Sequence, residues 1–248
     1  MFVIIGFAIV LGATLGGFSI AGGNPMLLLH LSEIVVICGV ALGLMVVGTP
    51  MATLVATVKS VLGLLSGDGP GKDDFMDLLK MLYEMFTLGR RNGLIALDEH
   101  VEEPEQSSIM SKYSTFVKSE ERMEFLINNL RPLIDGKIKP EQIGTLMNSE
   151  IKNKHDEGAG PVHALHLAAD SLPGIGICAA VLGIIITMSV IDQGAGAVGH
   201  KVSAALTGSF LGVWLAYGFA GPLASRVHMV HENELTYYKI LSEALSGF

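Results

Sequence analysis

Charge is absent from the first 32 residues of this 248-residue chain, and positive charge from the first 58. A removable secretory signal opens with a basic segment, so the first apolar run is expected to remain as a span. Cysteine is scarce. Cys38 and Cys178 each fall inside an apolar run and read as small buried hydrophobes rather than as disulfide or metal-site partners. A basic surface is also lacking: the net charge is −8, which speaks against a nucleic-acid partner. No Ser/His/Asp or Cys/His arrangement can be assembled, so no enzyme activity and no cofactor are expected.

What the chain has instead is apolar length. Half of its residues are hydrophobic. Leu172 to Ile191 gives 20 residues without a charge, and Val202 to Ser225 gives 24. At about 1.5 Å per residue each run crosses a hydrocarbon core of about 30 Å. Between them lies a Gly-rich outer turn from Asp192 to Lys201. Phe2 to Ala21 reads as a first span, closed by Gly22-Gly23-Asn24-Pro25. Met26 to Ser32 reads as an interfacial link. Ile34 to Val58 reads as a second span, bent at Thr49-Pro50 and left at Lys59.

The segment from Lys59 to His166 is polar and holds 13 of the 16 Lys and Arg residues. The positive-inside rule puts it in the cytoplasm, together with the C-terminal tail and the N-terminus. The expected fold is an all-α integral membrane protein. Four transmembrane helices form it, with a helical cytoplasmic domain inserted between helices two and three. The expected divisions are 1–58 (spans one and two), 59–166 (cytoplasmic domain), 167–226 (spans three and four) and 227–248 (tail). In the insert, Phe75, Leu78, Leu79, Leu82 and Phe86 recur at helical spacing. Val117, Met123, Leu126, Leu130 and Ile143, Leu146, Met147, Ile151 do so less cleanly. Pro104, Pro132 and Pro140 are expected to break these helices.

Several features invite a sharper reading. Small residues recur at four-residue spacing in every span: Gly12/Gly16, Gly39/Gly43, Ala179/Gly183 and Gly208/Gly212. They serve close helix packing within the chain or between subunits, and their number favours an oligomer. Ser66 to Asp73 ends in Gly-Lys but lacks the phosphate-loop spacing, and reads as a flexible link. His163/His166 and His228/His231 sit at the inner membrane edge, where solvated or packed histidines are commoner than a metal site. Thr187, Ser189, Ser203, Thr207 and Ser209 are polar groups within or beside the last two spans, which either line a hydrated path or contact a partner helix, or, as is more frequent, bond their own helix backbone. No ionisable group is expected at mid-depth, so any titrating carboxylate must come from another chain. Asp170 marks the inner mouth. From Arg90 to Glu105, two bases are followed by a run of acids, either a solvated face or an interaction surface.

Taken in register, these motifs resemble the MotA family of flagellar stator subunits. Asp170-Ser-Leu-Pro173 enters span three, Gly208-Ser-Phe-Leu-Gly-Val-Trp-Leu-Ala-Tyr-Gly-Phe-Ala-Gly-Pro222 fills span four, and Arg90…Leu97-Asp98…Glu103-Pro104 lies in the insert. The resemblance covers the full length. It implies a homopentamer in the bacterial inner membrane, ringed around a MotB-like single-span protein anchored to peptidoglycan, whose Asp takes up the ion. It implies proton flow coupled to rotation, with torque on the rotor protein FliG. By the same resemblance, Asp170, Pro173, Ala180, Ser209 and Pro222 belong to the ion pathway. Arg90 and either Asp98 or Glu99 face the rotor. Ala180 stands where sodium-driven relatives carry Thr, which points to protons. The rival expectations are an ExbB/TolQ-type proton channel subunit, usually with three spans, and a small secondary transporter, which would want midplane polar groups.

Overall fold

A computed structural model of the chain describes residues 2–67 and 69–247. Every regular element among them is helical. Asp68, in the Gly-rich link, lies outside the described residues.

Helix α1 spans Phe2–Ile20. The Asn24 side chain then accepts from the Met26 amide at 3.0 Å and starts a 3-10 turn, Pro25–Leu28. Helix α2 (Leu31–Gly48) stops at Thr49, whose backbone is extended at φ −138° and ψ 134°. Proline disfavours the helical region in the residue before it. The expected bend is therefore a full break, and α3 (Met51–Ser66) begins afresh after Pro50.

In the polar segment, α4 (Lys72–Asn92) is capped by Asp74 Oδ2, which accepts from the Gly71 amide at 2.7 Å. It ends at Gly93 with φ +84°, a conformation that glycine reaches without strain. A 3-10 turn, Leu94–Leu97, leads into the short α5 (Asp98–Glu102). Helices α6 (Ser114–Val117) and α7 (Glu120–Ile134) follow. Pro132 does not break α7 but sits inside its last turn, and Pro140 opens the next helix rather than ending one.

Helix α8 runs from Pro140 to Met188, 49 residues, through Pro161 and Pro173 without interruption. A 3-10 turn at Ile191–Gln193 and Gly194 at φ +95° reverse the chain. Helix α9 (Ala195–Leu215) starts earlier than the glycines suggested, so the outer turn is shorter than expected. A π-helical turn at Ala216–Ala220 joins α9 to α10 (Gly221–Ser246). Among the described residues, four helical stretches are long and apolar enough to cross a membrane: Phe2–Ile20, Pro25–Gly48, Glu141–Met188 and Ala195–Ser246.

The chain divides into two compact units. One comprises Met1–Gly67 and Ala159–Met229, the other Asp68–Gly158 and Val230–Phe248. In the first, Ile37, Ala41, Leu172, Ile175, Ala179, Leu211 and Ala216 form the buried cluster. Cys38 and Cys178 are exposed, not buried. A helix apolar on all sides gives no periodicity from which to choose its inward face. In the second unit, Leu78 and Leu82 turn inward with Met81 and Met85, while Leu79 and Leu146 turn out. The stripe on α4 is thus centred on its methionines, which fill irregular core space. Leu235, Tyr237, Tyr238, Leu241 and Leu245 from α10 share that core.

Candidate functional site

The α8–α9 hairpin is held by absent side chains. A methyl on Gly212 would lie 2.6 Å from Gly176 Cα and 2.6 Å from the Leu172 carbonyl oxygen. A methyl on Gly183 would lie 2.8 Å from Ala205 Cβ. The two backbones therefore touch, the contact that small residues permit between membrane helices. The small pairs of α8 and α9 are used within the chain. Gly12, Gly16, Gly39 and Gly43 meet nothing within 4 Å.

On this hairpin Ala180 is buried and Ser209 half-buried. They share one layer: a methyl on Gly208 would stand 3.3 Å from Ala179 Cβ and 3.3 Å from the Ala180 nitrogen. The same point lies 3.3 Å from Cγ of Glu33. Glu33 is only 6 % exposed, and Ser32 Oγ donates to its Oε2 at 2.6 Å. Glu33, which precedes the expected second span, is thus packed against the α8–α9 hairpin. Glu33 was given no role from sequence because it falls between the link and the second span, and a single charge at the edge of an apolar run carries no periodic pattern. The hydroxyls behave more plainly. Thr187 donates to Gly183 O at 2.8 Å, Ser189 to Ile186 O at 2.7 Å and Thr207 to Ser203 O at 3.0 Å, all on or just beyond their own helices.

The prolines lie toward the other end of the hairpin. Pro173 is half-buried inside α8, beside the Leu172 carbonyl that approaches Gly212. Asp170, one turn earlier, is exposed. Pro222 follows the π-helical turn and is exposed. It lines a cavity of about 300 Å³ with Phe2, Phe7, Val10, Tyr217 and Arg226. Ala180 thus packs at the level of Gly208, the neighbour of Ser209. Asp170 and Pro222 stand apart from them.

The charged block sits on the second unit. Arg90 is exposed in the last turn of α4, Asp98 is half-buried and Glu99 is exposed. Leu97, His100 and Val101 are buried and pin the short helix that carries both acids. Ser107 Oγ accepts from the Ile109 and Met110 amides at 3.3 and 3.0 Å, which leaves its proton for His100 Nδ1 at 2.9 Å. Nearby, Glu84 accepts from Lys112 at 2.6 Å and from Tyr113 at 2.8 Å. These two hydrogen bonds hold its carboxyl below the usual range. Burial first, then Glu84, push the Tyr113 phenol up to about 12. Arg122 donates to Glu234 at 2.6 Å and lies 4.4 Å over the Tyr237 ring. Burial works against its charge, but the Glu234 hydrogen bond and charge outweigh it, and the net shift is upward. Of the remaining histidines, His231 stands against His155 with ring centroids 6.2 Å apart. No group of three or more metal-ligating side chains occurs among the described residues.

Comparison with known proteins places this geometry. The family described as Motility protein A N-terminal matches residues 4–93, and the MotA/TolQ/ExbB proton channel family matches residues 117–240. Motility protein A of Salmonella typhimurium is 32% identical over 225 residues, 91% of this chain and 76% of the relative. The chain belongs to the Motility protein A family. The Motility protein A of Escherichia coli is 33% identical over 225 residues, with the same coverage. The chemotaxis protein LafT of Vibrio parahaemolyticus is 31% identical over 244 residues, 98% of this chain and 86% of that one. Among solved structures, the MotAB of C. jejuni matches with a TM-score of 0.84 at 21% identity, covering 99% of this chain and 88% of the other. The flagellar MotAB stator complex from Bacillus subtilis matches at 0.77 and 22% identity, covering 98% and 89%. At that identity the two structures attest the fold of this Motility protein A family member.

Proposed function

We propose that the chain is the ring-forming subunit of a flagellar stator, coupling proton flow across the inner membrane to torque on the rotor. The observation that carries this reading is the α8–α9 hairpin, closed backbone to backbone and presenting Ala180 and Ser209 in one layer. The family match over both halves of the chain supports it. In this reading, the clustering of Lys and Arg between residues 59 and 166 puts that segment and the termini in the cytoplasm. Five copies surround a MotB-like partner whose carboxylate meets Ala180 and Ser209. A proton falling through about 100 mV releases roughly 2.3 kcal/mol. Neutralising the partner's carboxylate changes which wall of the ring it prefers, and the ring turns. Pro173 and the π-helical turn before Pro222 are local defects at which a helix rearranges with little backbone cost. Arg90 and an acid at Asp98 or Glu99 then engage opposite charges on FliG. Glu99 is the more exposed of the two acids and is the better placed for that contact.

The test is charge reversal. Arg90→Glu, in cells that supply the partner and rotor, should cut swimming sharply while native mass spectrometry still finds the ring. Normal swimming would remove Arg90 from the rotor contact, and a chain that stays monomeric with its partner would remove the stator reading. The ExbB/TolQ reading shares the match at residues 117–240 but leaves the match at 4–93, and helix α1, without a role.

A further inference from the structure

Three titratable side chains stand in sequence at the outer end of the first unit. His200 is exposed near the start of α9. Its ring lies edge-on to that of His30, with centroids 6.2 Å apart. His30 precedes α2 at the N-cap position, and its Nδ1 is buried with no hydrogen-bond partner among the described residues. One helical turn on, Glu33 is buried beside Gly208, next to the Ala180–Ser209 layer. Exposed His200, half-buried His30 and buried Glu33 thus follow one another in order of decreasing exposure. The pairing is fixed locally. The 3-10 turn Pro25–Leu28 docks on α9, where Thr207 Oγ lies 3.4 Å from the Leu27 carbonyl. That docking delivers His30 to His200. The charged residues of the neighbouring turn and helix start are Lys201, which follows His200, and Asp192 in the 3-10 turn.

We propose that His200, His30 and Glu33 form a proton relay from the outer surface to the Ala180–Ser209 layer. The proposal rests on the stator reading and adds an entry path on this chain. An imidazole takes a proton on one ring nitrogen and releases it from the other, and a carboxylate buried in a span is a default marker of an ion path. The 6.2 Å ring separation leaves room for a bridging water. A hydrated proton binds His200, passes to His30 and then to the Glu33 carboxylate. Glu33 hands it to the partner's carboxylate. Each group returns to its starting state, so one proton moves and no bond is left changed. Ser32 orients the acceptor by donating to Oε2, which leaves Oε1 for the incoming proton.

The experiment uses the chain co-expressed with its single-span partner, reconstituted into vesicles under an imposed potential. Proton flux is read with a trapped pH dye while the outer pH is varied between about 5 and 8. Glu33→Gln should lower flux several-fold and flatten its dependence on outer pH. Glu33→Asp, which keeps the acid, should restore most of both. His30→Gln and His200→Gln should each lower flux less, and the double variant should be no worse than the poorer single one, because they act in series. Native mass spectrometry checks the ring in every variant. If Glu33→Gln disrupts the ring, Glu33→Asp and the exposed His200→Gln carry the test. A conducting wild type beside a Glu33→Gln variant with unchanged flux and pH profile overturns the relay alone. A wild-type assembly that carries no protons overturns the stator reading and the relay with it.

Discussion

The two units of this chain are stabilised by opposite means. In the first, the buried positions of α8 and α9 are mostly small, such as Gly176, Ala179, Gly183, Ala205, Gly208 and Gly212, and the helices meet at their backbones. In the second, the fully buried side chains are large: Phe116, Phe125, Met81, Met85 and Tyr237. Arg122 and Glu234 are tied across them. The difference follows from the surroundings. Lipid is as apolar as leucine, so burying leucine between spans gains little, and close approach of backbones must supply the attraction. In water, removing large apolar surface is itself favourable by about 25 cal/mol per Å². A unit built by close approach is broken by adding atoms. A unit built by burial is broken by removing them.

The largest effect should therefore come from one added carbon. Gly212→Ala drives a methyl to 2.6 Å from two backbone atoms of α8, which cannot rotate away. Overpacking of this kind costs about 3 kcal/mol. In detergent the variant should unfold at a clearly lower temperature than wild type and assemble poorly. The contrasting substitution is Gly12→Ala on α1, where nothing lies within 4 Å. It should leave thermal unfolding of the separated chain unchanged. Equal behaviour of the two variants would end the distinction between a closed and an open glycine face. A Gly12→Ala chain that is stable but no longer forms rings would locate a subunit contact on α1.

The next effect tests the polar tie of the second unit. Arg122→Ala leaves Glu234 without its partner in a mostly covered position. A fully buried pair broken on one side costs more, but Glu234 retains 31% of its side-chain exposure, so about 2 kcal/mol is expected. Arg122→Met with Glu234→Leu should recover most of that loss, because volume is kept and no charge is left behind. Thermal unfolding of wild type, Arg122→Met, Glu234→Leu and the double variant measures the coupling. A double variant as damaged as Arg122→Ala would mean that the stacking on Tyr237 matters more than the ion pair.

Sequence patterns disclosed the first unit by length and the second by period, and each was blind where the other signal ruled. Apolar runs near 20 residues gave α1, α2, α8 and α9 their approximate places, because membrane thickness sets that length. The same uniform hydrophobicity concealed which faces are inward, so Cys38 and Cys178 read as buried and Glu33 was given no role. The π-helical turn at Ala216–Ala220 leaves no local signal beyond Gly218, since it depends on how α9 packs. In the second unit, spacing found Leu78 and Leu82 but gave Met81 and Met85 too little weight beside leucine and phenylalanine. Ala180 and Ser209 were named only through the resemblance, and the place of Glu33 beside Gly208 needed the docking of α2 on α9.

The smallest effect is a matter of pH and is confined to the second unit, where ionisable side chains are linked. Tyr113 has its phenol raised from 10 to about 12, so the folded state favours the protonated form. That contribution is fully present below pH 10, the ordinary value, and disappears as pH rises through about 12. Glu84 runs the other way. Its lowered value favours the carboxylate in the folded state, so its contribution is present above the ordinary value of 4.5 and fades as pH falls through the lowered one. Wild type should lose thermal stability at both extremes. Tyr113→Phe should reduce the alkaline loss, leaving what Tyr237 and Tyr238 contribute, and weaken the acid one, since Lys112 still holds Glu84 at 2.6 Å. Lys112→Met should mainly weaken the acid loss. The pair is partly exposed, so each change is small and best read as the slope of unfolding temperature against pH. A Tyr113→Phe chain with the wild-type alkaline slope would assign that slope to other phenols, of which Tyr237 and Tyr238 are the buried candidates.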